Sequence, residues 1–103
     1  MSLKTLPFDP AEFLDTPEAV TEYLAAAFEA NDPAIIADAI GVAARAHGMT
    51  RLAKDADLSR QALYRALSAT GRPELPTLVK VLRALGVRLA PVPLENAGVD
   101  SAA

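Results

Sequence analysis

The stretch "LAKDADLSRQALYRAL", Leu52 to Leu67, decides the fold. Two short helices can cross at a fixed angle only if a small residue sits at their contact, a tight turn joins them, and apolar positions lock the second to the body. Ala53 is the small contact, and Asp57 stands where the turn needs a left-handed backbone. Glycine is commonest there, but Asp tolerates positive φ better than most residues. Leu58 plugs the turn into the core, and Leu63, Ala66 and Leu67 form the inward side of the second helix. The pattern predicts a helix of about seven residues over "TRLAKDA", a turn at Asp57-Leu58, and a helix from Arg60 to Ala69 capped by Ser59.

The other side of that second helix carries Arg60, Gln61, Tyr64, Arg65 and Ser68. A helix fits the major groove of B-DNA, where Arg can bond two acceptors of guanine and Gln two positions of adenine. Arg60, Gln61 and Tyr64 are therefore the candidate base readers. Ser59, at a helix N-terminus, and the side chains of Arg51, Lys54, Arg65, Ser68 and Arg72 are candidates for the phosphate backbone. An ordinary solvated face of an amphipathic helix would carry similar residues, so outward chemistry alone leaves both readings open.

Further from this motif, helix starts repeat. "FDPAEFL" reads as a short helical turn with Asp9 as cap, Pro10 at the first position and Glu12 placed for a capping box. Thr16-Pro17 opens a helix whose Val20, Tyr23, Leu24, Ala27 and Phe28 follow one buried face. Asp32-Pro33 opens the next, burying Ile36, Ala39, Ile40 and Ala43 and stopping at Gly48. After the loop "TGRPELP", a helix places Leu78, Val79, Leu82 and Leu85 inward and ends at Gly86. Val87 and Leu89 alternate with Arg88 and Ala90 as in a short strand, whose natural partner is its own copy across a two-fold axis or a strand of another protein. The expected architecture is all-α with five to six helices. It comprises one unit over 1–93: a helical extension (1–32), a helix-turn-helix core (33–86) and a strand (87–93), followed by a disordered tail (94–103).

Charge is divided between the halves of the chain. Residues 1–44 hold one cation, Lys4, against eight anions, a net of −7; residues 45–88 hold nine cations against three anions, a net of +6. The formal total of −3 hides this division. At physiological salt the Debye length is about 8 Å, so phosphates held by the basic half would feel their nearby cations far more than distant carboxylates. Mutual attraction of the two halves within one fold is the competing explanation.

Of the 103 residues, 51% are hydrophobic, enough for the continuous core of one domain, and there is no cysteine. Disulfides, thiolate metal sites and cysteine nucleophiles are thereby excluded. No window approaches the roughly 18 apolar residues of a membrane span, and the start lacks a secretory pattern, so a cytoplasmic protein without cofactor or metal is expected. The single His47 beside Gly48 has no Cys, Asp or Glu at ligand spacing and reads as a helix-terminal histidine. One His, no Cys and carboxylates spread over amphipathic helices argue against an enzyme.

"GMTRLAKDADLSRQALYRALS" (48–68), followed by "LVKVLRALGVRLAPVP" (78–93) and preceded by "LPFDPAEFLDTPEAVTEYLAAAFE" (6–29), resembles the addiction-module antidote proteins, small HigA-like antitoxins with a lambda-repressor-like helix-turn-helix. The resemblance runs from about Leu6 to Pro93. It implies a type II toxin–antitoxin operon of a bacterium or prophage. The chain would neutralise a small basic RelE/HigB-like toxin and repress its own promoter as a homodimer on double-stranded DNA. The family's recognition-helix role falls on Ser59, Arg60, Gln61 and Tyr64. No motif carries over the toxin-binding residues. The acidic half, 1–44, would complement a basic toxin, although an ordinary charged surface would show the same residues. The alternatives are a module that masks a partner without binding DNA, and a phage-type repressor with no toxin partner.

Overall fold

A computed structural model of the protein describes residues 13–68 and 71–94. Among them are five helices and no strand: α1 (Pro17–Glu29), α2 (Pro33–His47), α3 (Met49–Asp55), α4 (Arg60–Ala66) and α5 (Leu75–Ala84). The expected turn over "FDPAEFL" lies outside the described residues apart from Phe13 and Leu14, and the expected tail lies outside them apart from Leu94.

Each of the first two helices starts where its cap dictates. Thr16 Oγ1 accepts from Ala19 N at 3.1 Å, and Asp32 Oδ1 accepts from Ala34 N at 2.9 Å, with proline at the first helical position in both. These oxygens satisfy donors that the helix itself leaves unpaired, and proline has no N–H to lose there. α1 ends through Asn31 at φ 55°, a residue type that tolerates the left-handed region. A single residue, Gly48 at φ 97°, both ends α2 and precedes α3. A side chain would be strained at that angle, so glycine permits the sharp change of direction.

The core is continuous. Leu24 of α1, Ala39, Ile40, Ala43 and Ala44 of α2, Leu52 and Ala53 of α3, Leu63 of α4, and Val81, Leu82 and Leu85 of α5 and its cap form one buried cluster. Val20, Tyr23, Ala27, Phe28 and Ile36 pack against it, as periodicity predicts. α1 packs on α2, α2 on α3, and α3 on both α4 and α5. Small residues at Ala43, Ala44 and Ala53 let these helices approach closely. On α5 the inward side is Leu78, Val81, Leu82 and Leu85; Val79 is displaced from the expected set by Val81, because α5 is turned slightly about its axis relative to the sequence-derived face.

One further expectation is corrected, and another has no counterpart within a single chain. The second helix of the pair stops at Ala66 rather than Ala69. Residues 87–93 form no strand within the chain. A strand requires a ladder partner, and the described residues offer none to this segment. Val87 is instead consumed in ending α5: its N–H donates to Leu82 O at 2.9 Å while Gly86 N donates to Arg83 O at 3.0 Å, with Gly86 at φ 93°. That is a Schellman termination, with Val87 turned to the core as its apolar contact.

Candidate nucleic-acid interface

The same termination joins α3 to α4. Leu58 N donates to Ala53 O at 2.9 Å and Asp57 N to Lys54 O at 3.2 Å, with Asp57 at φ 58°. Asp57 therefore occupies the left-handed position that its place in the sequence predicts, and Leu58 packs on the core. Ser59 then caps α4, its Oγ accepting from Ala62 N at 3.0 Å. Leu63 is fully buried beneath the pair, with Leu67 packed beside it. The chain has thus built a helix, a four-residue connection (Ala56 to Ser59) and a second helix whose orientation is fixed from below.

What α4 shows outward is Arg60, Gln61, Tyr64 and Arg65, all exposed. At 3.6 residues per turn they span an arc of about 140°, opposite Leu63 and Ala66, over a helix about 10 Å long. Two of them are joined. The Arg60 guanidinium lies over the Tyr64 ring, 5.4 Å from its centroid, and Arg60 Nη2 donates to Tyr64 Oη at 3.4 Å. Gln61 stands beside this pair, one residue along.

Around α4 the expected backbone contacts are divided. Lys54 on α3, Arg65 on α4 and Arg72 in the following loop are exposed and make no ion pair among the described residues. Arg51 is also exposed but lies 3.9 Å from Asp55 Oδ2, a loose i,i+4 pair. Ser59 already uses its oxygen as a cap, which leaves only its hydroxyl proton to offer. Ser68 lies beyond the end of α4, its Oγ donating to Arg65 O at 3.0 Å, so it does not continue the helical row. Val87 is turned inward, and Leu89 is exposed on the irregular C-terminal segment.

Two positioning residues escape a reading by spacing. His47 Nε2 lies 3.0 Å from Asp55 Oδ2, a distance at which imidazole donates to carboxylate. The contact ties the last residue of α2 to the last residue of α3, bracing the platform that carries α4. Its i,i+8 separation across Gly48 has no sequence signature. The second is Gly71. A Cβ there would lie 2.3 Å from Arg65 O and 2.6 Å from Ala66 O, so only glycine lets the loop fold back onto the end of α4. Its N–H donates to Ser68 O at 2.9 Å, and Arg72 follows immediately.

No ion pair among the described residues links the acidic and basic halves: the pairs at Asp55 lie wholly within the basic one.

A family model described as "probable addiction module antidote protein" matches residues 4–93. The chain belongs to that family. An uncharacterized protein of Haemophilus influenzae is 41% identical to it over 81 residues, 79% of this chain and 84% of the relative. No solved structure matches it. The match includes α1 through α5 and the segment that follows, and so carries both the acidic helices and the α3–α4 pair. No helix among the described residues is long and apolar enough to cross a membrane.

Proposed function

We propose that this chain is the antitoxin of a type II toxin–antitoxin pair. It binds operator DNA as a homodimer through a lambda-repressor-like helix-turn-helix formed by α3 and α4, and represses its own operon in the cytoplasm. It acts by binding rather than catalysis. Membership of an antidote family implies a toxin partner, and a small basic RelE/HigB-like protein suits the exposed carboxylates of the first half. The observation that carries the DNA reading is the outward face of α4. Arg60, Gln61 and Tyr64 stand side by side in solvent, flanked by Lys54, Arg65 and Arg72, cations without an acidic partner among the described residues.

A polyanion supplies what those cations lack. Arg60 and Gln61 carry the donor geometry for guanine and adenine edges, and the surrounding cations hold phosphates and set the register. Binding then releases counterions. With Arg51, Lys54, Arg65 and Arg72 on phosphates, the slope of log K against log salt is about −3.6 per protomer. An electrophoretic shift series with a duplex carrying the chain's own promoter, from low to physiological salt, tests this. Arg72→Ala weakens all sequences alike and flattens the slope by about one, whereas Arg60→Ala relaxes preference at one base pair. Absence of any shift at micromolar protein refutes DNA binding and leaves a module that only masks its toxin.

A further inference from the structure

Away from α3 and α4, a groove of about 580 Å³ runs between α1 and the segment after α5. Leu24 and Phe28 of α1, Leu82 of α5 and Val87 line it, and Leu89 and Val92 form its far wall. Val92 is 81% exposed and Leu89 40%, so an apolar wall stands open to water. Glu29 borders the groove on the α1 side and Arg88 on the other.

The α1 side is the charged one. Glu18, Glu22 and Glu29 fall within about 40° of one another at 3.6 residues per turn, forming an outward stripe beside the groove. All three are exposed, and none is in an ion pair among the described residues. Resting on the antitoxin reading above, we propose that this groove seats an apolar segment of the toxin, flanked by Lys or Arg side chains that face the α1 carboxylates. The burial supplies affinity and the stripe supplies orientation and approach. A second copy of this chain is the wrong occupant, because it would bring its own carboxylate stripe toward the first. DNA is excluded by the same charges.

The placement has a regulatory consequence. No residue lining the groove comes from α3 or α4, so toxin and operator occupy different faces. Toxin therefore joins the protein–DNA complex rather than displacing it.

The test uses the full chain and the small protein encoded in the adjoining reading frame, purified and titrated by calorimetry. Ala25→Arg places bulk and positive charge on the groove's α1 wall, and Val92→Asp puts a charge on its apolar wall; both sites are exposed, so the fold is retained, checked by helical circular dichroism. Each variant weakens the complex by about tenfold or more, while promoter DNA is bound as before. Added toxin further retards the protein–DNA band. Undiminished toxin binding by both variants overturns the groove assignment but leaves the antitoxin reading standing. If the variants instead dissociate a dimer and spare toxin binding, the groove is the seat of a second copy and the proposal fails. If the unmodified chain forms no complex at all, the antitoxin reading falls, and this one with it.

Discussion

On the proposed DNA-binding reading, removing the Tyr64 ring tests whether α4 would read DNA with two independent side chains or with one held by the other. The Arg60 guanidinium, 5.4 Å from the ring centroid, is inside the range of a cation–π contact, worth about 0.5–1 kcal/mol at an exposed site. The Nη2–Oη distance of 3.4 Å is long for an N–H···O bond, so the hydroxyl adds little to the ring. Arg60 is a flexible side chain whose immobilisation on a base costs about 0.5–1.5 kcal/mol. A ring that already limits its freedom offsets part of that cost before DNA arrives.

The expected numbers follow. Arg60→Ala loses the base contact, about 1–3 kcal/mol. Tyr64→Ala loses about 0.5–1 kcal/mol, a two- to fivefold weaker complex, and Tyr64→Phe, which keeps the ring, loses little. In the Arg60→Ala background Tyr64→Ala has nothing left to hold, so the coupling energy of the double-mutant cycle is about 0.5–1 kcal/mol. Fluorescence anisotropy with a labelled promoter duplex at one fixed salt concentration measures the unmodified chain and the four variants. Equal losses from Tyr64→Ala with and without Arg60 would show that Tyr64 meets DNA on its own, and the holding argument would be wrong. A loss in Tyr64→Phe as large as in Tyr64→Ala would assign the effect to the hydroxyl instead.

Three structural predictions accompany it. Asp57→Gly relieves an L-residue at φ 58° and removes a negative charge from the C-terminal end of α3, so it is expected to raise stability by up to about 1 kcal/mol, while Asp57→Val lowers it by about 1–2 kcal/mol; thermal unfolding by circular dichroism reads both, and equal midpoints would contradict the left-handed turn. Gly71→Ala forces a Cβ against two backbone carbonyls and is expected to destabilise by about 1–3 kcal/mol, a fall in the midpoint of several degrees; an unchanged midpoint would mean the loop does not fold back on α4. Asp55→Ala removes the partner of His47 and Arg51 and is expected to lower stability by about 0.5–1.5 kcal/mol, with DNA affinity falling because the α3–α4 platform loosens; denaturant melts and the anisotropy assay check the two halves of that statement.

Which parts of this molecule could be read from its sequence depends on where the deciding partner lies. Thr16, Asp32 and Ser59 cap helices with atoms two or three residues away, and Asp57-Leu58 closes its turn on carbonyls within five residues. Local spacing reports all of these. The outward row of Arg60, Gln61 and Tyr64 follows from the same turn, since fixing Leu63 inward fixes its neighbours outward. The end of α4 is a different matter. "ALSAT" contains no breaker, so propensity alone carries the helix to Ala69. The interruption comes from Gly71, whose missing side chain lets the chain return over the carbonyls of Arg65 and Ala66. The His47–Asp55 contact likewise needs the direction change at Gly48 before its partners meet.

The segment after α5 shows the limit most clearly. Alternation of Val87 and Leu89 with Arg88 and Ala90 reports that two sides of the chain differ in polarity, whereas a strand is defined by hydrogen bonds to a second stretch of backbone. Gly86 and Val87 are committed to closing α5. Beyond them, Pro91 and Pro93 supply no N–H. In an extended chain alternate residues point their N–H groups to the same edge, so both gaps would fall on one edge and cripple it for pairing. The groove takes in both parities of this run: Val87, Arg88, Leu89, Ala90, Pro91 and Val92 all line it. Alternation in such a run therefore reports polarity alone, and the prolines leave only the opposite edge for a ladder with another chain.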